Sequence, residues 1–319
     1  FAFSRLARRM LKSVRREIVY VAFRTTHFPL RIAPLSLGAP FAKVLGALGY
    51  FGFRKLRRRA LRQAETSLGA ELPKDQLRAL VRRSFEHYAR LYFEFINSDR
   101  YIAARPDLFD VIGLENLDRA LQRGRGVVWI SGHLGNWEMM ATWLSFLAGY
   151  KLNIATRSLR DSRLNEVLFN RRLASGMNQI PRDSPNGFKE IIGALSRNEI
   201  MGIMMDQDVD VRGVFADFFG RPAFTPSAAA ALALKLDAAV VGGFTARLPD
   251  GRHRVTITAP VEIVRTGDYE HDVRENTSRF NLLIEEAVRR NPDQWVWIHR
   301  RWKTKPTDRV KRQESGQNP

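Results

Sequence analysis

Val127-Val-Trp-Ile-Ser-Gly-His-Leu-Gly-Asn-Trp-Glu138 decides how this chain is read. Four consecutive apolar residues, Val127 to Ile130, predict a buried strand, and Ser131-Gly132 predicts a small-residue turn. A helix is expected to begin near Asn136, with Glu138 in its first turn. His133 and Glu138 are five positions apart, which on one straight helix would set them about 140° apart, too far round to share a proton. His133 is therefore placed on the turn before the helix, from which its ring can swing back to Glu138. A neutral imidazole held by a carboxylate on one nitrogen, its other nitrogen facing a cleft, is equipped as a general base. By spacing alone the histidine could equally be a loop residue that caps or packs.

Downstream, Lys151 to Thr156 reads as a second strand ending at Arg157, and Arg163 to Ala174 as a helix carrying Arg172. Phe188 to Arg197 is a short helix before the strand Ile200 to Met205. That strand delivers Asp206-Gln207-Asp208 and Asp210 to its carboxyl end, where open α/β sheets place their ligand clefts. The alternating acids do not make a calcium loop: Val211 stands where glycine is needed, followed by Arg212. Thr225 is expected to cap, and Pro226 to open, the alanine-rich helix Ala228 to Leu236. Strands Val240 to Ala246 and Arg254 to Ala259 are joined by the turn Pro249-Asp-Gly251. A helix Thr277 to Arg290 precedes a final strand in Trp295-Val-Trp-Ile-His-Arg-Arg-Trp-Lys-Thr-Lys-Pro306. Upstream, Pro73 opens a supporting helix, Lys74 to Ile96, with His87 packed or solvated. A helix from Leu114 to Leu121 stops at Arg123-Gly-Arg-Gly126, which carries no phosphate-loop pattern.

The 319 residues, 45% hydrophobic, suffice for one large core, and the absence of cysteine excludes a disulfide framework and thiolate catalysis. A net charge of +19 raises the question of nucleic acid, but the charge sits at the two ends. Residues 1–62 hold 15 Lys/Arg against the single acid Glu17, the segment from His299 onward holds 7 against two acids, and residues 63–298 carry 30 of each sign. With a neutral middle and no recognised binding motif, a nucleic-acid partner is not expected. Residues 1–23 instead separate an apolar stripe (Phe3, Leu6, Met10, Val14, Ile18, Val21) from a cationic face (Arg5, Arg8, Arg9, Lys12, Arg15, Arg16), as a helix in an anionic membrane interface does. Ile32 to Phe53 is apolar except for Lys43. Pro34 and Pro40, with Gly38, Gly46, Gly49 and Gly52, argue for a broken helical hairpin dipping into one leaflet rather than a span. The cluster Arg54 to Arg59 would bind lipid phosphates on the cytoplasmic side. The opening residue is Phe1 rather than Met, which leaves room for a segment upstream.

Four blocks, in order, resemble those of the bacterial late lipid A (lauroyl/myristoyl) acyltransferase family, within the H-x4-[D/E] lysophospholipid-acyltransferase-like superfamily. They are Ser131 to Glu138, the R-x3-G element Arg172 to Gly176, the acidic block from Asp206 to Asp208, and Phe218-Phe-Gly-Arg-Pro-Ala-Phe-Thr225. The terminal run from Trp295 to Pro306 is similar to the branch's closing signature and is the most specific match. The E-G-T-R element of general glycerolipid acyltransferases is absent, which weakens a glycerol-phosphate acceptor. The resemblance implies an α/β fold, a mixed and largely parallel sheet flanked by helices, preceded by membrane-associating helices. The expected division is a membrane segment over 1–60, an acyltransferase domain over 61–306 and a disordered tail over 307–319. Also implied are acyl transfer from an acyl carrier protein or CoA thioester to a membrane glycolipid, a lipid A precursor or a phosphatidylinositol mannoside, on the cytoplasmic face of the inner membrane. His133 and Glu138 would be catalytic, with Glu138 fixing the ring tautomer. Arg157, Arg172, Asp206, Gln207 and Asp208 would bind substrate, and no metal or cofactor would be needed.

Overall fold

The computed structural model describes residues 17, 20, 21, 23–157, 161–182 and 184–307. The helix expected over 1–23 lies almost wholly outside these residues, as does the tail from position 308. One seven-stranded sheet runs in the order β1-β9-β8-β2-β5-β3-β4. Its strands are β1 (Phe109–Ile112), β2 (Val127–Ser131), β3 (Leu152–Thr156), β4 (Asn178–Pro181), β5 (Ile200–Met204), β8 (Ala239–Arg247) and β9 (His253–Ile257). Every neighbouring pair is parallel except β8–β9. The sheet is thus mixed and largely parallel, and helices cover both faces. The continuous apolar run of β2 has the reason that strands buried on both faces have: all five of its residues are buried. One core layer sets Val127, Trp129, Met140 and Leu144 against Leu117 and Ala120 of α6 (Leu114–Leu121). The other sets Val128, Ile130 and Met201 against α3 (Arg54–Leu68), α4 (Lys74–Ile96), α9 (Gly187–Ser196), α10 (Ala228–Leu236) and α11 (Tyr269–Arg290).

Several expectations need correction. The edge strands β1 and β4, four residues each, carry too little alternation to stand out. A separate hairpin, β6 (Gly213–Phe218) with β7 (Arg221–Pro226), turns through Phe219-Gly220, both at positive φ. Thr225 therefore lies in a strand and does not cap α10, whose N-cap is Ser227. Helix α11 starts at Tyr269, well before Thr277, because the Asp268 carboxylate accepts from the N–H groups of Glu270 and His271 at 3.1 Å. The helix after Glu138, α7 (Trp137–Thr142), passes into a π-helical turn, Trp143–Leu147. The run from Trp295 forms no strand; Trp295 makes a single bridge to Leu134.

Near the N-terminus, residues 23–32 are helical (α1), and the chain breaks around Pro34 and a 3-10 turn, Leu35–Leu37. Beyond that break α2 (Gly38–Gly52) is one unbroken helix, contrary to the reading of its glycines as breakers. Gly38, Ala42 and Gly46 form a small-residue seam against α4: a Cβ on Gly46 would collide with the backbone of Glu86. The glycines allow close approach of two helices, which offsets their entropic cost. The opposite face, with Val44, Leu45, Leu48 and Phe51, is exposed. Among the described residues no helix is long and apolar enough to cross a membrane.

Candidate active site

β2 and β5 are parallel neighbours, with Ser131 opposite Met204. Two residues further on, His133 and Asp206 leave the same sheet edge side by side. His133 Nδ1 lies 2.7 Å from Asp206 Oδ1, while Asp206 Oδ2 accepts from the His133 backbone N–H at 2.7 Å and from the Trp295 indole at 2.8 Å. Burial by itself would raise the Asp206 pKa, but His133, the indole and the backbone N–H together hold it well below the usual carboxylate range. An ionised Asp206 fixes the proton on Nδ1, so Nε2 presents a lone pair. The His133 side chain is 21% exposed, enough to meet a substrate.

Glu138 does not hold this ring. It lies on the first turn of α7 and faces α8 (Ser162–Ala174), where Arg172 grips both carboxylate oxygens, Nε at 3.1 Å from Oε2 and Nη2 on Oε1. That bidentate pair raises the Arg172 pKa despite the lowering effect of burial. Two residues taken from separate motifs are thus each other's partner, and the Arg172 guanidinium is committed to Glu138 as well as to the cleft.

The acidic block and the terminal run close on one another residue by residue. Asp206 takes the Trp295 indole; the Gln207 side-chain nitrogen lies 3.0 Å from Nε2 of both His133 and His299; Asp208 accepts from the N–H of Thr304 at 2.6 Å and from its hydroxyl at 2.8 Å. The Asp208 side chain is only 1% exposed, so the expectation that it binds substrate is corrected: it fastens the chain end. Arg301, fully buried, donates to Phe224 O and Thr225 Oγ1, and its guanidinium lies 4.8 Å from the Phe218 ring centroid. Sequence reasoning quoted Trp295, His299 and Arg301 within a signature but gave them no site role; the one-to-one pairing with the acidic block is visible only in three dimensions.

The turn bearing His133 is held from below. Gly135 has φ +58, and a Cβ there would collide with Thr245 O, so this position requires glycine. Its carbonyl accepts from His87 Nε2 at 3.0 Å. Asn136 caps α7 by accepting from Met139 N and donates to Glu94 at 2.9 Å. Glu94 in turn receives Arg247 and Arg90, and Arg247 donates to His87 Nδ1 at 2.8 Å. His87, expected to be packed or solvated on a supporting helix, is a buried link in this network.

Burial, assisted by the Arg247 charge, pushes the His87 pKa down from 6.5 to about 3. Burial likewise lowers His253 to about 4, and burial, with His133 close by, lowers His299 to about 4. The unfolded chain would bind protons at these sites near pH 6.5, so between those values it binds more protons than the folded protein. Stability is therefore expected to be complete above about pH 7 and to fall as pH drops through about 6.5 towards 4, approaching 4 kcal/mol per pH unit at most. Urea unfolding midpoints at about pH 7.5, 6 and 5 would measure it; a midpoint that does not move would refute buried neutral histidines.

His133, Glu138, Arg157, Arg172 and Gln207 all line one cleft of about 1190 Å³ at the carboxyl ends of β2, β5, β3 and β4. Asp206 lies behind it. Below the polar mouth the wall is apolar, with Met140, Leu144, Ile154, Leu168, Phe169 and Ile191. Along α10, Ala228, Ala231, Leu232 and Lys235 share one helical face towards the cleft, and Arg212 and Arg274 flank that limb as exposed cations. Among the described residues no cluster of His, Cys, Asp or Glu is arranged to hold a metal ion.

A histidine whose Nδ1 is held by a buried carboxylate, and whose ring lines a largely apolar cleft in an α/β sheet, is an arrangement that can serve proton abstraction beside an extended hydrocarbon. The chain belongs to the bacterial lipid A biosynthesis acyltransferase family, whose model matches residues 9–304. It is 31% identical over 202 residues to the lipid A biosynthesis palmitoleoyltransferase of Escherichia coli strain K12, a match that spans 62% of each chain. It is 27% identical over 269 residues to the lauroyltransferase of the same organism, covering 81% of this chain and 84% of that one. A phosphatidylinositol mannoside acyltransferase of Mycobacterium tuberculosis is 30% identical over 168 residues, 51% of this chain and 52% of its own.

Proposed function

We propose that this protein transfers a fatty acyl chain from a thioester, carried by acyl carrier protein or CoA, to a hydroxyl of a lipid A precursor. The observation that carries the reading is the Asp206–His133 pair, with Nε2 at the mouth of an apolar cleft. His133 removes the proton as the acceptor oxygen attacks the thioester carbonyl, and the ionised Asp206 stabilises the imidazolium that forms. No covalent acyl-enzyme is required. The apolar cleft suits hydrocarbon, and the cations along its rim, Arg157, Arg212, Lys235 and Arg274, suit an anionic acceptor. Purified protein mixed with dodecanoyl-CoA or dodecanoyl acyl carrier protein and a lipid A precursor is expected to give a product heavier by one acyl chain in mass spectrometry. A His133→Ala control should give none. The similarity to a phosphatidylinositol mannoside acyltransferase favours a second acceptor, and the same assay with that glycolipid decides between them.

The enzyme would work on the cytoplasmic face of the inner membrane. The exposed apolar residues Val44, Leu48 and Phe51 belong to α2, which leads directly into the basic start of α3, and Phe28, Ile32 and Leu37 upstream of α2 are exposed as well, a combination suited to an anionic leaflet. Replacing Val44, Leu48 and Phe51 together with serine is expected to weaken flotation with anionic liposomes at about 0.5 M salt, where the charge contribution is screened. Undiminished flotation of that variant would remove α2 from the contact.

A further inference from the structure

Transfer through a tetrahedral intermediate requires a donor for the oxygen that gains charge, and turns beside a catalytic base often supply backbone N–H groups for it. Here that turn has few to offer. The N–H of His133 is taken by Asp206, that of Leu134 by Gly132 O at 2.8 Å, and that of Gly135 by Gln294 O at 3.1 Å. The Arg172 guanidinium is held on Glu138. Within 3.0 Å of His133 Nε2, however, lies the side-chain nitrogen of Gln207.

The proton on Nδ1 of His133 makes Nε2 an acceptor, so it is the NH2 end of the Gln207 amide that faces it. The second N–H of the same group meets Nε2 of His299, also at 3.0 Å, and the two imidazole centroids are 5.6 Å apart. His299 is neutral, since burial and then His133 lower its pKa to about 4, and so it can accept. One amide therefore bridges two ring lone pairs, and only the bond to His133 has to yield when an acceptor hydroxyl arrives at Nε2.

We propose that Gln207 is a catalytic residue whose side-chain amide donates to the thioester carbonyl oxygen as charge develops there, and that His299 is the positioning residue that holds the amide. This rests on the general-base reading of His133. The entering hydroxyl displaces the amide from Nε2 and gives its proton to that nitrogen while its oxygen bonds to the carbonyl carbon. The carbonyl π pair moves to the oxygen, where the released Gln207 N–H meets it. On collapse the C–S bond breaks and the thiolate leaves with the proton from Nε2, giving ester and thiol with the enzyme unchanged.

The test uses the full chain with dodecanoyl acyl carrier protein and a lipid A precursor. Gln207→Ala and Gln207→Glu, neither of which offers an amide N–H, are each expected to lower kcat about 10²–10³-fold with KM for both substrates within about twofold and Tm unchanged. His299→Ala is expected to lower kcat about tenfold through loss of the amide's anchor, and His299→Gln, whose oxygen can accept, to recover most of it. A kcat for Gln207→Ala within about threefold of wild type, or a loss confined to KM, overturns the proposal. An inactive His133→Ala beside a fully active Gln207→Ala would sink this inference alone; an active His133→Ala would sink the underlying reading.

Discussion

Exchanging Asp206 for asparagine is expected to lower kcat by about 10³–10⁴-fold while leaving the protein folded. The carboxylate is what places the proton on Nδ1 of His133, 2.7 Å away. An asparagine amide can present its N–H to that nitrogen, which favours the opposite tautomer, with Nε2 protonated and useless as a base. The substitution is nearly isosteric, and its remaining oxygen can still accept from the Trp295 indole or the His133 backbone. Glu138→Gln should cost less: Glu138 acts on Arg172, so the variant loses a bidentate ion pair rather than the tautomer of the proposed general base. Steady-state kinetics of the two variants, side by side, rank the carboxylates; equal losses would return Glu138 to the role assigned from spacing, and wild-type turnover in Asp206→Asn would remove the dyad.

Arg247→Met carries the largest expected cost in stability. Glu94 is 1% exposed, and although burial would raise its pKa, Arg247 and then His253 and Arg90 hold it below the usual carboxylate range. Removing the buried cation leaves the Glu94 charge with only the partly exposed Arg90 and the Asn136 amide, a loss of about 3–5 kcal/mol, or roughly 6 °C in Tm for a chain of this size. Glu94 also holds Asn136, the cap of α7, so activity should fall with stability. Adding Glu94→Gln to Arg247→Met removes the stranded charge and should recover part of the loss, which a thermal-melt double-mutant cycle would measure. A single variant as stable as wild type would show that water reaches Glu94. The sign of the pH effect agrees: a carboxylate depressed in the folded state stabilises above its unfolded pKa, and that contribution is lost as pH falls.

The α2 glycines show how one residue type can carry two opposite readings. Along the chain, Gly38, Gly46 and Gly49 lower helix propensity and suggest a break. Packed against α4, the same missing side chains let two helices touch, and the helix runs through them. Phe219 shows the converse. Nothing in a pair of phenylalanines announces positive φ, yet the hairpin β6–β7 turns there.

By itself the sequence determined what depends on near neighbours: the buried run of β2, the turn before α7, the long period of α4, the hairpin of β8 and β9, and the family through blocks whose spacing is local. It placed His133 at the site on the same ground. Its partner is set by something no local pattern contains, the register of β2 against β5, which brings together residues 73 positions apart. The pairing of Glu138 with Arg172 depends in the same way on how α8 lies across α7, and the pairing of the acidic block with Trp295, His299 and Thr304 on where the chain end returns. Carboxylates and guanidinium groups look alike in a sequence; which one is ionised against which partner is decided by burial and distance, and those exist only once the sheet has closed.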